Sequence, residues 1–134
     1  MSLTVMIVDD DASVQFFHSV IVSLSGLSAD PLTFGSGREA CNYLDQHCQS
    51  KDTYLVLLDI NMPVMNGWEL LDNISKKAYH HQVKVVIVTS SVDRADHEKA
   101  NCYQMVTQVV EKPISEEICK NILRSEMLTP AAGK

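Results

Sequence analysis

The sequence predicts an α/β fold: a doubly wound, five-stranded parallel sheet in the order 2-1-3-4-5, with helices on both faces. Three observations carry this. Apolar, β-rich runs alternate with stretches of helical periodicity from one end of the chain to the other. Residues 54–58 are almost wholly apolar, as a central strand covered on both faces must be. The run that holds Pro31 lacks one ladder N–H, so it belongs at an edge of the sheet.

Each element has its own signature. Residues 3–8 form the first strand and run into Asp9-Asp10-Asp11. Residues 13–24 follow as a helix, with Phe17, Ile21 and Leu24 at helical spacing, flanked by Val14 and Val20, as its apolar face. Gly26 ends it, and residues 29–34 make the short edge strand. Ser36 and Glu39 have the spacing of a capping box. They open a helix with Ala40, Tyr43, Leu44 and His47 on one side. After the strand at 54–58, Asn66 and Glu69 repeat the capping logic, and Leu70, Leu71, Ile74 and Ala78 supply the stripe. Residues 83–88 are the second central strand. The next helix, residues 93–103, is crowded with Asp93, Arg94, Asp96, His97, Glu98 and Lys99, so its hold on the core is weak. Residues 106–110 make the fifth strand, and residues 115–127 the last helix, with Ile118, Ile122 and Leu123 inward.

Size and charge narrow the function. The chain has 134 residues and 46% apolar content, enough for one globular domain with its own core. The expected division is one domain over residues 1–128 and a short flexible tail over 129–134, with no output domain. A net charge of −6, from 17 acidic and 11 basic residues, offers no basic patch for nucleic acid. No apolar run approaches the roughly 20 residues that span a membrane. A cytoplasmic protein, monomeric or weakly dimeric, is expected. Cys41, Cys48, Cys102 and Cys119 make no C-x-x-C pair and read as small apolar residues or spare thiols.

The chemistry sits where strands end. Parallel strands finish on one edge, and open α/β sheets bind ligands there. Asp9 and Asp10 follow the first strand, Asp59 the third, Thr89 ends the fourth, and Lys112 follows the fifth. Three carboxylates, a hydroxyl and an ammonium therefore meet in one crevice. Carboxylates so close repel each other, and a hard dication such as Mg²⁺ relieves that. Three carboxylates, one dication and one ammonium sum to neutrality, which leaves room for a phosphoryl group. Asp59 is the candidate nucleophile, because a carboxylate can carry an acyl phosphate. Phosphoryl transfer asks mainly for positioning and charge neutralisation, and Lys112 and Thr89 can each take one equatorial oxygen.

Plainer readings stand beside this one. Asp9, Asp10 and Asp11 can all cap a helix, and Asp11 is expected to do so. His80 and His81 fall in a loop and read as solvated, not as metal ligands. Trp68 on the first turn of its helix reads as core packing before partner contact.

The segments Val8-Asp9-Asp10, Leu58-Asp59-Ile60-Asn61-Met62-Pro63-Val64-Met65-Asn66-Gly67, Val88-Thr89-Ser90 and Glu111-Lys112-Pro113 resemble those of response-regulator receiver domains of two-component signal transduction. The resemblance covers roughly residues 4–125 and implies a flavodoxin-like fold in a stand-alone, single-domain form. It implies that Asp59 takes a phosphoryl group from a histidine kinase or a histidine phosphotransfer protein, and that the domain catalyses only its own phosphorylation and dephosphorylation. It also implies that Asp10, Asp59 and the Asn61 carbonyl bind Mg²⁺ (or Mn²⁺), with Asp9 acting through water. Thr89 and Lys112 would sense the phosphate, and the Lys112–Pro113 bond is often cis in such domains.

The departures are specific. Val109 stands where receivers commonly carry a Tyr or Phe whose rotamer reports activation. The aromatic form of that switch cannot operate here. Asn66 replaces a commoner aspartate, with an expected effect on the turn alone. Asn61 and Ser91 occupy positions that tune hydrolysis in the family, and Ser90 is small enough to leave a donor histidine access.

Three functions compete. The first is a phospho-acceptor that signals to a protein target by docking. The second is a receiver-like interaction module that no longer switches, favoured by Val109. The third, a phosphatase using Asp9-Asp10-Asp11, lacks the larger core and cap that such enzymes need. A flavin site fails because no Ser/Thr/Gly-rich loop follows the first strand.

Overall fold

A computed structural model describes residues 2–47, 52–62, 65–90 and 93–124. In chain order these form β1 (Ser2–Val8), α1 (Ala12–Ser25), β2 (Leu32–Phe34), α2 (Gly37–His47), β3 (Asp52–Leu58), α3 (Gly67–Ser75), β4 (Val83–Thr89), α4 (Arg94–Ala100), β5 (Val106–Glu111) and α5 (Glu116–Arg124). A single 3₁₀ turn, His80–Gln82, leads into β4. All pairings are parallel, and the order is β2-β1-β3-β4-β5, as the sequence predicts. Among the described residues no helix is long and apolar enough to cross a membrane.

The strand period of two sorts the core into two layers. Met6, Val8, Val56, Leu58, Val85 and Ile87 face α2, α3 and α4 together with Leu44, Leu70 and Ile74. Val5, Ile7, Leu55, Leu57, Val86 and Val88 face α1 and α5 with Val22, Cys119 and Ile122. Central strands buried on both faces explain why β3 reads as a continuous apolar run.

Helix α1 corrects the sequence reading. Its buried residues are His18, Val22 and Ser25, whereas Phe17 is 46% and Leu24 64% exposed. The two sets differ by one position, a rotation of about 100°. Polar residues hold the inward face because each finds a partner there. The Ser25 hydroxyl donates to the Val22 carbonyl at 2.8 Å and accepts from the Leu27 N–H. His18 accepts from the Ile114 N–H. Leu123 departs in the same way, being 45% exposed while Cys119 and Ile122 fill the α5 face. Ala78 lies beyond the end of α3 and is exposed, because Lys76 already caps that helix. His47 is exposed and stacks on Tyr43 at 4.2 Å.

Several boundaries shift for local reasons. Pairing of β2 starts at Leu32 opposite Met6, so Pro31 stands just outside the edge strand. The α2 capping box is displaced: Ser36 accepts from the Glu39 N–H, while the Glu39 carboxylate accepts from Gly35 N–H instead. The Asn66–Glu69 box is complete. Asp11 caps α1 by accepting from Ser13 and Val14. Helix α4 is shorter than predicted and buries only Ala100. Its C-terminal side is tied to α3 by Trp68, which stacks on Tyr103 at 5.9 Å beneath the Lys99 ammonium. Trp68 is thus half-buried against the core layer, and His80 and His81 are exposed. The expected end of the last helix and the tail at 129–134 lie outside the described residues, as does Cys48. Cys41, Cys102 and Cys119 are free thiols.

Gly67 fixes how closely α3 approaches the end of β3. Its N–H donates to the Ile60 carbonyl at 3.1 Å. A Cβ there would stand 2.7 Å from Ile60 Cα and 3.1 Å from the Asp59 carbonyl oxygen. Gly67→Ala is therefore expected to destabilise the fold by about 2 kcal/mol, read as a lower urea midpoint with an unchanged m-value.

Candidate functional site

The sheet sets the site's geometry through its backbone. Beyond the strand ends the ladder continues for one more residue. The Asp9 N–H donates to Phe34 O at 3.0 Å, the Asp59 N–H to Val8 O at 3.0 Å, and the Lys112 N–H to Thr89 O at 2.7 Å. Each of the three residues that follow a strand is thus pinned to a neighbouring strand, and its Cβ direction is fixed by the pleat. Thr89, the last residue of β4, is fully buried.

The side chains converge accordingly. Asp9 and Asp59 are 2% and 4% exposed, Asp10 is exposed, and one carboxylate oxygen from each lies within 4.8 Å of the others. Both buried carboxylates are held alike. One oxygen accepts from the amide two residues on: Asp9 Oδ1 from Asp11 at 2.9 Å, Asp59 Oδ1 from Asn61 at 3.0 Å. The Lys112 ammonium bridges the remaining pair, 2.7 Å from Asp9 Oδ2 and 3.2 Å from Asp59 Oδ2. Burial pulls the Lys112 pKa down, but the hydrogen bond to Asp9 and the charges of Asp59 and Asp9 outweigh it, so it rises and Lys112 stays charged. The Asn61 amide donates to the Thr89 hydroxyl at 3.1 Å, which ties the β3 loop to the end of β4.

The crevice thus carries three carboxylates against one ammonium (−3 + 1), a net charge of −2. The chain matches the response regulator receiver domain family over residues 5–124. It belongs to that family. Phosphorylation on an aspartate is general to receiver domains, as is interaction with histidine kinases or phosphotransfer proteins.

Known receivers share the fold closely. A two-component response regulator from Cytophaga hutchinsonii superposes with a TM-score of 0.85 at 27% identity, covering 96% of this chain and 98% of that one. The chemotaxis protein CheY1 of Helicobacter pylori is 25% identical over 121 residues, 90% of this chain and 94% of its own length. Two-component response regulator 24 of Arabidopsis thaliana is 35% identical over 65 residues, and the match spans 43% of its length.

Receiver domains bind Mg²⁺ at an acidic pocket, and the residues of this one fit a hard dication. The donors are carboxylate oxygens, and the excess charge is that of one such ion. Of the predicted site residues, Asp9, Asp10, Asp59, Asn61, Thr89 and Lys112 meet in the crevice. Ser90 is exposed at the end of β4. Val109 is half-buried in β5 and packs on the α4 side of the sheet. Ser91 lies outside the described residues. The Lys112–Pro113 bond is cis.

Two contributors escape the sequence reading. The Gln15 side chain donates to the Asp9 carbonyl at 2.7 Å and so braces the β1–α1 turn. His18 is buried on α1, with Ser13, Val14, Phe17, Lys112 and Pro113, around an apolar cavity of about 340 Å³ beside the site. A polar residue on a helix face carries no signal of its partner; only the packing of α1 on the β5–α5 loop reveals it.

Burial lowers the His18 pKa, and Lys112 adds to this while Asp9 opposes it. The folded value therefore lies below the unfolded one of about 6.5. The neutral ring is favoured in the fold, so its contribution is complete above that pH and is lost as pH falls through the folded value. Between pH 7 and 5.5 the thermal midpoint of the wild type is expected to fall more steeply than that of His18→Gln, checked by calorimetry. Parallel slopes would contradict it.

Proposed function

We propose that this receiver works in the cytoplasm, accepts a phosphoryl group on Asp59 from the phosphoimidazole of a histidine kinase or histidine phosphotransfer protein, and signals through protein contacts biased by that modification. The reading rests above all on the Lys112 ammonium bridging Asp9 and Asp59 beside Asp10. An Asp59 carboxylate oxygen attacks phosphorus, the P–N bond breaks, and the departing imidazole takes a proton from solvent. The Asn61 N–H orients Asp59 through Oδ1. Lys112 neutralises charge on one equatorial oxygen, and the Thr89 hydroxyl, which accepts from Asn61, retains its own proton to donate to another. Asp10, Asp59 and the Asn61 carbonyl, with Asp9 through water, would hold a Mg²⁺ (or Mn²⁺) ion, which would supply charge to offset the phosphoryl oxygens. Exposed Ser90 leaves the donor room, and Asn61 and Ser91 are assigned the tuning of product hydrolysis by the family resemblance alone.

Exposure to acetyl phosphate tests this reading. Intact mass is expected to rise by one phosphoryl group with Mg²⁺ present, and not in Asp59→Asn or after chelation. Failure of both histidine-phosphate and acetyl-phosphate donors to label the wild type would sink it.

Val109 favours a second reading, an interaction module that no longer switches. With valine in β5, no aromatic rotamer at that position can report the state of Thr89 to α4. The two readings part on partner affinity. A switching receiver is expected to bind its target at least about tenfold tighter with beryllofluoride at Asp59, a coupling of about 1.4 kcal/mol. Equal affinity with and without it selects the second.

A further inference from the structure

Of the five histidines, His18 alone is buried, and it lies where no proton transfer is asked of it. Its Nε2 accepts from the Ile114 N–H at 3.3 Å. Ile114 is only 1% exposed, so that amide has no recourse to bulk water. The segment around it is short of donors. Pro113 has none, and the Lys112 N–H is already given to Thr89 O. The loop carrying Lys112 is therefore fastened by two backbone donors, one to β4 and the other to an imidazole on α1. The ring also fills the gap between helix and loop, with its centroid 6.1 Å from that of Phe17 and both rings lining the cavity beside Lys112 and Pro113.

We propose that His18 is the positioning residue for Lys112: as a neutral acceptor on α1 it anchors residues 112–114, and so sets where the ammonium stands between Asp9 and Asp59. The proposal rests on the reading of Asp59 as phospho-acceptor. The physical requirement is narrow. A shift of the loop by an ångström displaces the root of the Lys112 side chain, whose Nζ stands 2.7 Å from Asp9 and 3.2 Å from Asp59. Displacements of that size cost about 100-fold in a positioned reaction. An apolar residue at position 18 leaves the Ile114 N–H unpaired, and the loop must move to find it a partner. Glutamine carries a carbonyl oxygen at comparable reach and restores the acceptor without an imidazole.

The test uses the full chain with His18→Leu, His18→Gln, Lys112→Met and the His18→Leu/Lys112→Met pair. Mg²⁺-dependent phosphorylation by acetyl phosphate is expected to slow about tenfold or more in His18→Leu. It should stay within about threefold of wild type in His18→Gln, the two differing by more than 0.6 kcal/mol. In the Lys112→Met background, His18→Leu should slow the reaction no further, because the residue acts through Lys112. A merely structural role would slow both backgrounds alike. Hydrogen exchange at the Lys112 and Ile114 amides should quicken in His18→Leu and recover in His18→Gln, with core amides such as Leu55 unchanged. In the wild type itself, an N–H···N scalar coupling between Ile114 N and His18 Nε2 is expected, whether or not the leucine variant folds.

Absence of that coupling overturns the proposal, as does wild-type phosphorylation in His18→Leu, or equal slowing in both backgrounds. A wild type that takes no phosphoryl group on Asp59 defeats the functional reading instead. The coupling and the exchange of the Lys112 and Ile114 amides then decide the anchoring alone.

Discussion

Asp9 and Asp59 face each other at the closed end of the crevice, and the ammonium of Lys112 lies between them. Two buried carboxylates at this distance are tolerable only with such a cation, and the cation is tolerable only with them. The remaining oxygen of each carboxylate accepts from the amide two residues on, so neither can swing away from Lys112 without losing a second bond. That closed arrangement leaves Asp10 at the mouth, exposed and adding negative charge where a dication can reach it. The chemistry proposed for the domain is an extension of this one balance. A phosphoryl group on Asp59 changes the partner that Lys112 must neutralise.

The balance holds because the sheet fixes it. Ladder bonds at Asp9, Asp59 and Lys112 carry strand geometry one residue into the loops. Gly67 lets α3 come close enough to brace the end of β3, and Gln15 and His18 reach across from α1 to the first and last of these loops. Support from three directions is what a preorganised charged site requires. It also accounts for the composition of α1, whose inward face has polar residues where a plain core helix would have leucines.

The side of the molecule around α4 is built differently. Only Ala100 of that helix is buried, and its attachment runs through a surface clasp: Trp68 on Tyr103, Lys99 over Trp68, and the Tyr103 hydroxyl donating to Asp72 at 2.7 Å. Contacts of this kind contribute about 0.5–1 kcal/mol each. They are small against core burial, so α4 is held less firmly than the helices that bury two or more residues each. Val109 beneath it offers methyl groups in place of an aromatic lever. Any coupling between Thr89 and α4 must therefore travel through backbone and loop, not through a ring changing rotamer.

What the sequence determined by itself was the sheet and the acidic site. Strand order followed from the apolar run of β3 and the proline before β2. The convergence of Asp9, Asp10, Asp59, Thr89 and Lys112 followed from parallel strands sharing one edge, because a strand's direction fixes which end its successor meets. The helix faces were less legible. Phe17 and Leu24 looked inward by periodicity yet face out, and Leu123 does the same. Their hydrophobicity is local, whereas the choice of face is made by what lies opposite. A buried Ser25 bonded to its own helix and a buried His18 bonded to Ile114 outweigh one more apolar stripe. Such partners lie up to 96 residues away in the chain, as Ile114 does from His18. Only the tertiary structure decides them, because a hydrogen bond's value depends on whether water has been excluded from both of its ends.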